Sequence, residues 1–121
     1  MFKVFGYLSK RADIDAQAFI DHYENVHVPL ILSLAPAPDV YKRHYVQRAD
    51  ELNVQAAGLD FDVMTELEFS DRGAFLAWLT SVTSGTAGER VATDEARFLD
   101  RSRTRSCITQ DHVTGNSTDG A

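Results

Sequence analysis

The stretch Phe61-Asp62-Val63-Met64-Thr65-Glu66-Leu67-Glu68-Phe69 decides the fold. In an extended chain Phe61, Val63, Thr65, Leu67 and Phe69 share one side, and Asp62, Met64, Glu66 and Glu68 share the other. Strict alternation of this kind predicts a β-strand with one face on a core and a mixed face opposite. Downstream, Ser70 or Asp71 is positioned to cap a helix whose inner stripe is Phe75, Trp78, Leu79 and Val82. The run Thr83-Ser84-Gly85-Thr86-Ala87-Gly88 should break that helix. A shorter helix over 89–100 should pack Val91, Phe98 and Leu99, and 103–113 reads as a closing strand.

Upstream, residues 40–48 are β-prone, and a polar loop joins them to Phe61. Residues 1–9, rich in β-branched and aromatic side chains, predict another strand. Between these strands Asp13 or Asp15 can cap a helix carrying Phe19, Ile20, Tyr23 and Val26 or His27 at three- and four-residue spacing. Pro29 disfavours α geometry at Val28, so this helix is expected to end or kink near His27. Leu30-Ile31-Leu32-Ser33-Leu34 then leads into a turn over 35–39. The order β-α-β-β-α-β is a ferredoxin-like α+β plan, a four-stranded antiparallel sheet with both helices on one face. The first strand is apolar on both sides, with Phe5 and Tyr7 opposite Val4 and Leu8. A bare apolar sheet face is an aggregation hazard that a second copy would cover, so a homodimer is expected.

The 121 residues are 44% hydrophobic and 25% charged, in the range of one globular domain. That domain is expected over 1–113, with the small polar tail 114–121 disordered. Eighteen acidic against 12 basic residues leave a net charge of −6, which argues against a nucleic-acid binder. No apolar run approaches the ~18–20 residues that cross a membrane, and the apolar start is too short for a signal peptide. A cytoplasmic protein is expected. Cys107 has no partner for a disulfide and reads as a buried, inert thiol. The sequon at Asn116-Ser117-Thr118 carries no meaning without a secretory signal.

Phosphate loops, paired cysteines and His-Glu-x-x-His are absent from the sequence, so neither metal nor cofactor is expected. Histidines are the best material. His27 follows Tyr23 by four residues on the inward stripe; it reads either as a cap on last-turn carbonyls or as a general base at the sheet. His44 shares a strand face with Val40, Lys42 and Val46, which either lies under the helices near Asp62 or Glu66 or faces outward. His22, beside Asp21 and Glu24, and His112, at the end of the last strand, read as surface. Asp62, Glu66 and Glu68 form either a solvated or ion-paired row, or include one desolvated carboxylate that orients an imidazole. Gly6, in mid-strand, fits a cavity or a ligand above it.

The strand Phe2-Lys3-Val4-Phe5-Gly6-Tyr7-Leu8 and the helix Phe19-Ile20-Asp21-His22-Tyr23-Glu24-Asn25-Val26-His27-Val28-Pro29-Leu30 resemble the opening of EthD-type proteins. So does Thr93-Asp94-Glu95-Ala96-Arg97-Phe98-Leu99-Asp100 before the last strand. The resemblance covers residues 1–113 and is most specific from Tyr23 to Pro29. It implies the dimeric α+β barrel superfamily, in which each protomer keeps a small apolar pocket between sheet and helices. Activities there include polyketide cyclases, cofactor-free monooxygenases, lyases and haem-degrading enzymes. A helix tyrosine of a plant cyclase in that superfamily matches Tyr23. That enzyme's catalytic histidine follows the second helix, where this chain has Ser84-Gly85-Thr86, so its mechanism does not carry over. EthD-type proteins share His27 and Pro29, which moves His27 to the centre of the expected site.

The expected activity is therefore cofactor-independent proton abstraction from a small apolar aromatic or polyketide-type carbonyl or phenolic substrate, leading to cyclisation, dehydration or related lyase chemistry. His27 would be the base, Tyr23 or His44 would hydrogen-bond the enolate oxygen, and Asp62 or Glu66 would hold an imidazole or take the second proton. Val4, Gly6, Leu8, Leu30, Val40, Met64, Phe75 and Trp78 would wall the pocket. The alternatives are a cofactor-free monooxygenase and a non-catalytic carrier or accessory protein.

Overall fold

A computed structural model describes residues 1–115. Strands β1 (Phe2–Leu8), β2 (Val40–Tyr45), β3 (Val63–Phe69) and β4 (Arg105–Thr109) form an antiparallel sheet in the order β2-β3-β1-β4. Helix α1 (Ala16–His22), a π-helical turn (Tyr23–His27) and α2 (Val28–Leu34) follow β1, while α3 (Arg72–Thr83) and α4 (Gly85–Phe98) follow β3. The architecture is the expected ferredoxin-like α+β fold. Most of the expected tail, including the sequon Asn116–Thr118, lies outside the described residues.

Element ends differ from expectation for local reasons. Asp15 caps α1, its Oδ1 accepting the Ala18 amide at 2.7 Å, whereas Asp13 is engaged by Arg11 at 2.7 Å. Strand β3 starts at Val63 because Asp62 turns its carboxylate to the Lys10 amide (2.8 Å) and Arg48 (3.3 Å). Strand β4 begins only at Arg105, because Asp100 caps a 3-10 turn over Arg101–Arg103. Helix α4 starts a turn earlier than expected. Ser84 is extended, Gly85 takes φ +60°, and Gly88 backs onto α3 so tightly that a Cβ there would lie 2.5 Å from the Thr83 carbonyl carbon.

Pro29 does not end the helix. Val28 keeps α geometry (φ −58°, ψ −49°), and the disturbance falls on the turn before it, where the Val28 amide donates to the Tyr23 carbonyl five residues back. Proline offers no N–H to the Asn25 carbonyl four residues earlier and its ring crowds that oxygen, so widening the turn by one residue relieves the conflict.

The helices cover the face carrying Val4, Val63, Leu67 and Phe69. One cluster joins Phe19, Tyr23 and Val28 to Val63, Phe98 and Leu99, and a second sets Phe75 and Trp78 against Val4, Leu67 and Phe69. The opposite face is less apolar than the first strand suggested. Across the pairings it interleaves Phe5, Tyr7, Val40 and Met64 with Lys3, Lys42, His44, Glu66, Glu68 and Arg105. Lys3 reaches Glu66 and Glu68 at 3.3 Å and Asp111 at 2.5 Å. Cys107, expected to be buried, is exposed on this face. Among the described residues no helix is long and apolar enough to cross a membrane.

Candidate functional site

Between sheet and helices lies a cavity of about 360 Å³, a volume that suits a small organic ligand. Its walls are apolar: Val4 and Leu67 from the sheet, Ile31 from α2, Phe75, Trp78 and Val82 from α3, and Val91 from α4. Gly6 and Leu8 also line it, and a Cβ on Gly6 would meet nothing within 4 Å, so this glycine keeps floor space open. Polar groups gather at two places. Tyr23, His27, Tyr41 and Thr65 form one group, while Glu95 and Arg101, 3.3 Å apart, belong to the other.

Tyr23 is the pivot of the first group. Its ring is 2% exposed, its hydroxyl lies 2.7 Å from Thr65 Oγ1, and the Tyr41 hydroxyl donates to it at 3.4 Å. Burial pushes both phenols well above the ordinary tyrosine value, so they stay protonated donors rather than bases. Tyr41 is steadied from behind. Arg43 stacks over its ring at 4.9 Å and grips Glu24 with two hydrogen bonds of 2.7 and 2.9 Å. Tyr45 also donates to Glu24, and these contacts, led by Arg43, hold the Glu24 carboxyl below its ordinary range.

His27 is 5% exposed, and its ring centroid lies 5.6 Å from that of Tyr23, edge to face. It is not a helix cap: Nδ1 lies 2.9 Å from Oδ2 of Asp94, a carboxylate that is 4% exposed in α4. Against an ionised carboxylate, which only accepts, Nδ1 is the donor, and a neutral imidazole then carries its lone pair on Nε2. Among the described residues Nε2 has no hydrogen-bond partner, on a ring that lines the cavity.

Several expected residues lie elsewhere. His44, Glu66, Val40 and Met64 occupy the open sheet face, because the β2 and β3 registers put Tyr41, Thr65 and Leu67 under the helices instead. His44 Nε2 does meet Glu66 Oε1 at 3.0 Å, but outside the cavity. Asp62 stays at the start of β3 with Lys10 and Arg48. Leu30 lines a separate surface groove, since the extra residue in the π turn rotates α2 so that Ile31 faces the cavity. His22, read as surface, is bonded to Asp94 Oδ1 at 2.9 Å and stacks on Phe98 with ring centroids 4.7 Å apart.

Asp94, Tyr41 and Thr65 were not anticipated. Asp94 did leave a signal, an acidic residue three after Val91 and four before Phe98 on the inward stripe of an amphipathic helix. Among the described residues no three His, Cys, Asp or Glu side chains converge to hold a metal ion.

Residues 11–102 match the EthD domain. No curated protein matches the chain significantly. Among solved structures, an EthD family protein from Bacillus halodurans C-125 is 20% identical, with a TM-score of 0.59 over 93% of this chain and 100% of that one. HapK from Hahella chejuensis is 15% identical, with a TM-score of 0.63 over 98% of this chain and 99% of its own. A dimeric ferredoxin-like protein from Bacteroides fragilis is 7% identical, with a TM-score of 0.57 over 91% of this chain and 95% of that one. At such identities the structural likeness speaks to the fold alone. The domain match spans most of the chain and includes the helix with Tyr23 and His27 as well as Asp94; on that ground the protein belongs to the EthD family.

Proposed function

We propose that this protein is a cofactor-independent enzyme that removes a proton from carbon next to a carbonyl, or from the equivalent carbon of a phenol-type tautomer, in a small apolar substrate. The observation that carries the reading is the buried His27–Asp94 pair, of which His27 lines an apolar cavity beside the Tyr23 phenol. His27 Nε2 takes the proton, and the Asp94 carboxylate stabilises the imidazolium through Nδ1–H. The enolate oxygen that develops is met by the Tyr23 O–H. When Thr65 and Tyr41 both donate to the Tyr23 oxygen, its own proton is free for the substrate and is a stronger donor for being polarised. In a cyclisation the enolate carbon attacks a second carbonyl of the same substrate, whose C=O π bond opens to an alkoxide that takes the proton back from the His27 imidazolium; in a dehydration the enolate expels a β-hydroxyl, which leaves as water with that proton. An aromatic or polyketide-type body fits the walls of Phe75, Trp78, Val4 and Leu67.

The assembly that goes with this reading is a homodimer joined through the open sheet face, where Phe5, Tyr7 and Met64 would be covered and the charged rows around Lys3 and Glu66 would rim the contact. Sedimentation at micromolar protein checks it; a monomer throughout overturns it.

The chemistry is tested with 2-tetralone, an apolar ketone with acidic α-hydrogens, by following solvent deuterium uptake by proton NMR. The wild-type protein should accelerate uptake, and His27→Ala should lose roughly 10²–10⁴-fold of that acceleration. Wild-type protein that binds the ketone without accelerating exchange would leave a carrier.

A further inference from the structure

Asp94 presents its two oxygens to two imidazoles. His27 Nδ1 sits 2.9 Å from Oδ2, and His22 Nε2 sits 2.9 Å from Oδ1. The proposed chemistry uses only the first contact. The terminal torsion of an aspartate is broad, so a carboxylate held at one oxygen swings and aims its partner poorly. Arg97 approaches Oδ1 only at 3.8 Å from a side chain that is 65% exposed, beyond hydrogen-bond reach. His22 is thus the group that holds Oδ1, and its ring is itself seated on Phe98, the ring that also contacts His27 at 4.9 Å.

The backbone is built for this sharing. Positions five apart on a regular α-helix point about 140° away from each other. The π turn over Tyr23–His27 inserts one residue between His22 and His27, and both imidazoles reach one carboxylate. Relaxing that turn to α geometry would carry one of them off.

We infer that His22 is a positioning residue: by fixing Asp94 Oδ1 it aims Oδ2 at His27 Nδ1 and holds His27 in the tautomer that leaves Nε2 free on the cavity side. The inference rests on the reading of His27 as the base, and its test is built to separate the two. In protein labelled with ¹⁵N-histidine, long-range proton–nitrogen correlations report which His27 nitrogen carries hydrogen. The wild-type spectrum should show Nδ1 protonated. His22→Phe keeps a ring against Phe98 but removes the donor, and should move the His27 signals toward a mixture of tautomers. His22→Gln, whose amide can still donate to Oδ1, should restore the wild-type pattern.

A His22→Phe spectrum identical to wild type overturns the proposal. So does a His22→Gln spectrum as displaced as that of His22→Phe, since ring fit and not the donor would then matter. In the 2-tetralone exchange, kcat should fall roughly tenfold in His22→Phe with KM unchanged, and recover in His22→Gln. Displaced signals with an unchanged exchange rate would also overturn it, because the positioning would serve no reaction. Wild-type exchange by His27→Ala would instead defeat the base reading, leaving the spectra alone to decide what His22 does.

Discussion

Two histidine–carboxylate contacts of nearly equal length, His27–Asp94 at 2.9 Å and His44–Glu66 at 3.0 Å, lie on opposite faces of one sheet. Their surroundings separate them. The side chains of the first pair are 6% and 5% exposed, beside a cavity lined by aliphatic and aromatic groups. In the second, His44 is 45% exposed and Glu66 also answers to Lys3. Charge stabilisation is strong where water is excluded and weak where water and counter-charges compete. The same two functional groups therefore make a candidate active centre on one face and a half-open polar contact on the other.

The sharpest way to break this comparison is to neutralise each carboxylate in turn. Asp94→Asn should lower 2-tetralone exchange by on the order of 10²–10³-fold, since the amide neither fixes the tautomer nor stabilises the imidazolium. Glu66→Gln should leave the rate within about twofold. Equal losses from the two would mean that the open face takes part in the chemistry. Tyr23→Phe comes next: kcat should fall roughly tenfold to a hundredfold with little change in KM. Loss of the contact with Thr65 should also cost about 1 kcal/mol in denaturant unfolding.

The smallest expected effect belongs to the open face and concerns stability. Burial alone would raise the Glu66 carboxyl, but the hydrogen bonds from His44 and Lys3 outweigh it and hold the group below its ordinary value of 4.5. The unfolded chain then binds more protons than the folded one between these two values. This contribution is complete above pH 4.5 and is lost as pH falls through the folded value. Thermal midpoints measured from pH 6 downward should decline less steeply in Glu66→Gln than in wild type, and parallel curves would show that the pair carries no such linkage.

Much of the architecture was legible in local pattern. The alternation around Thr65, the caps at Asp15 and Asp71 and the break at Ser84-Gly85 each depend on a few neighbouring residues, and the structure keeps them. Tyr23, His27, Gly6, Phe75 and Trp78 reach the cavity because their helical or strand phase points inward. Strand parity left the side of His44 and Val40 open, because a strand with usable residues on both sides does not declare which side the helices take, whereas Met64 lies on the open face where the alternation of β3 puts it. His22 was missed for another reason: it flanks the inward stripe three residues after Phe19, and its partner Asp94 lies 72 residues away on α4.

The sequence by itself determined the order of elements and the ferredoxin-like plan, because both follow from short-range periodicity and steric rules. The tertiary structure alone decided which carboxylate serves His27. Asp94 is separated from His27 by 67 residues, and only the docking of α4 against the π turn closes that distance to 2.9 Å. Partner choice across such a separation depends on the packing of whole elements, which no local pattern encodes.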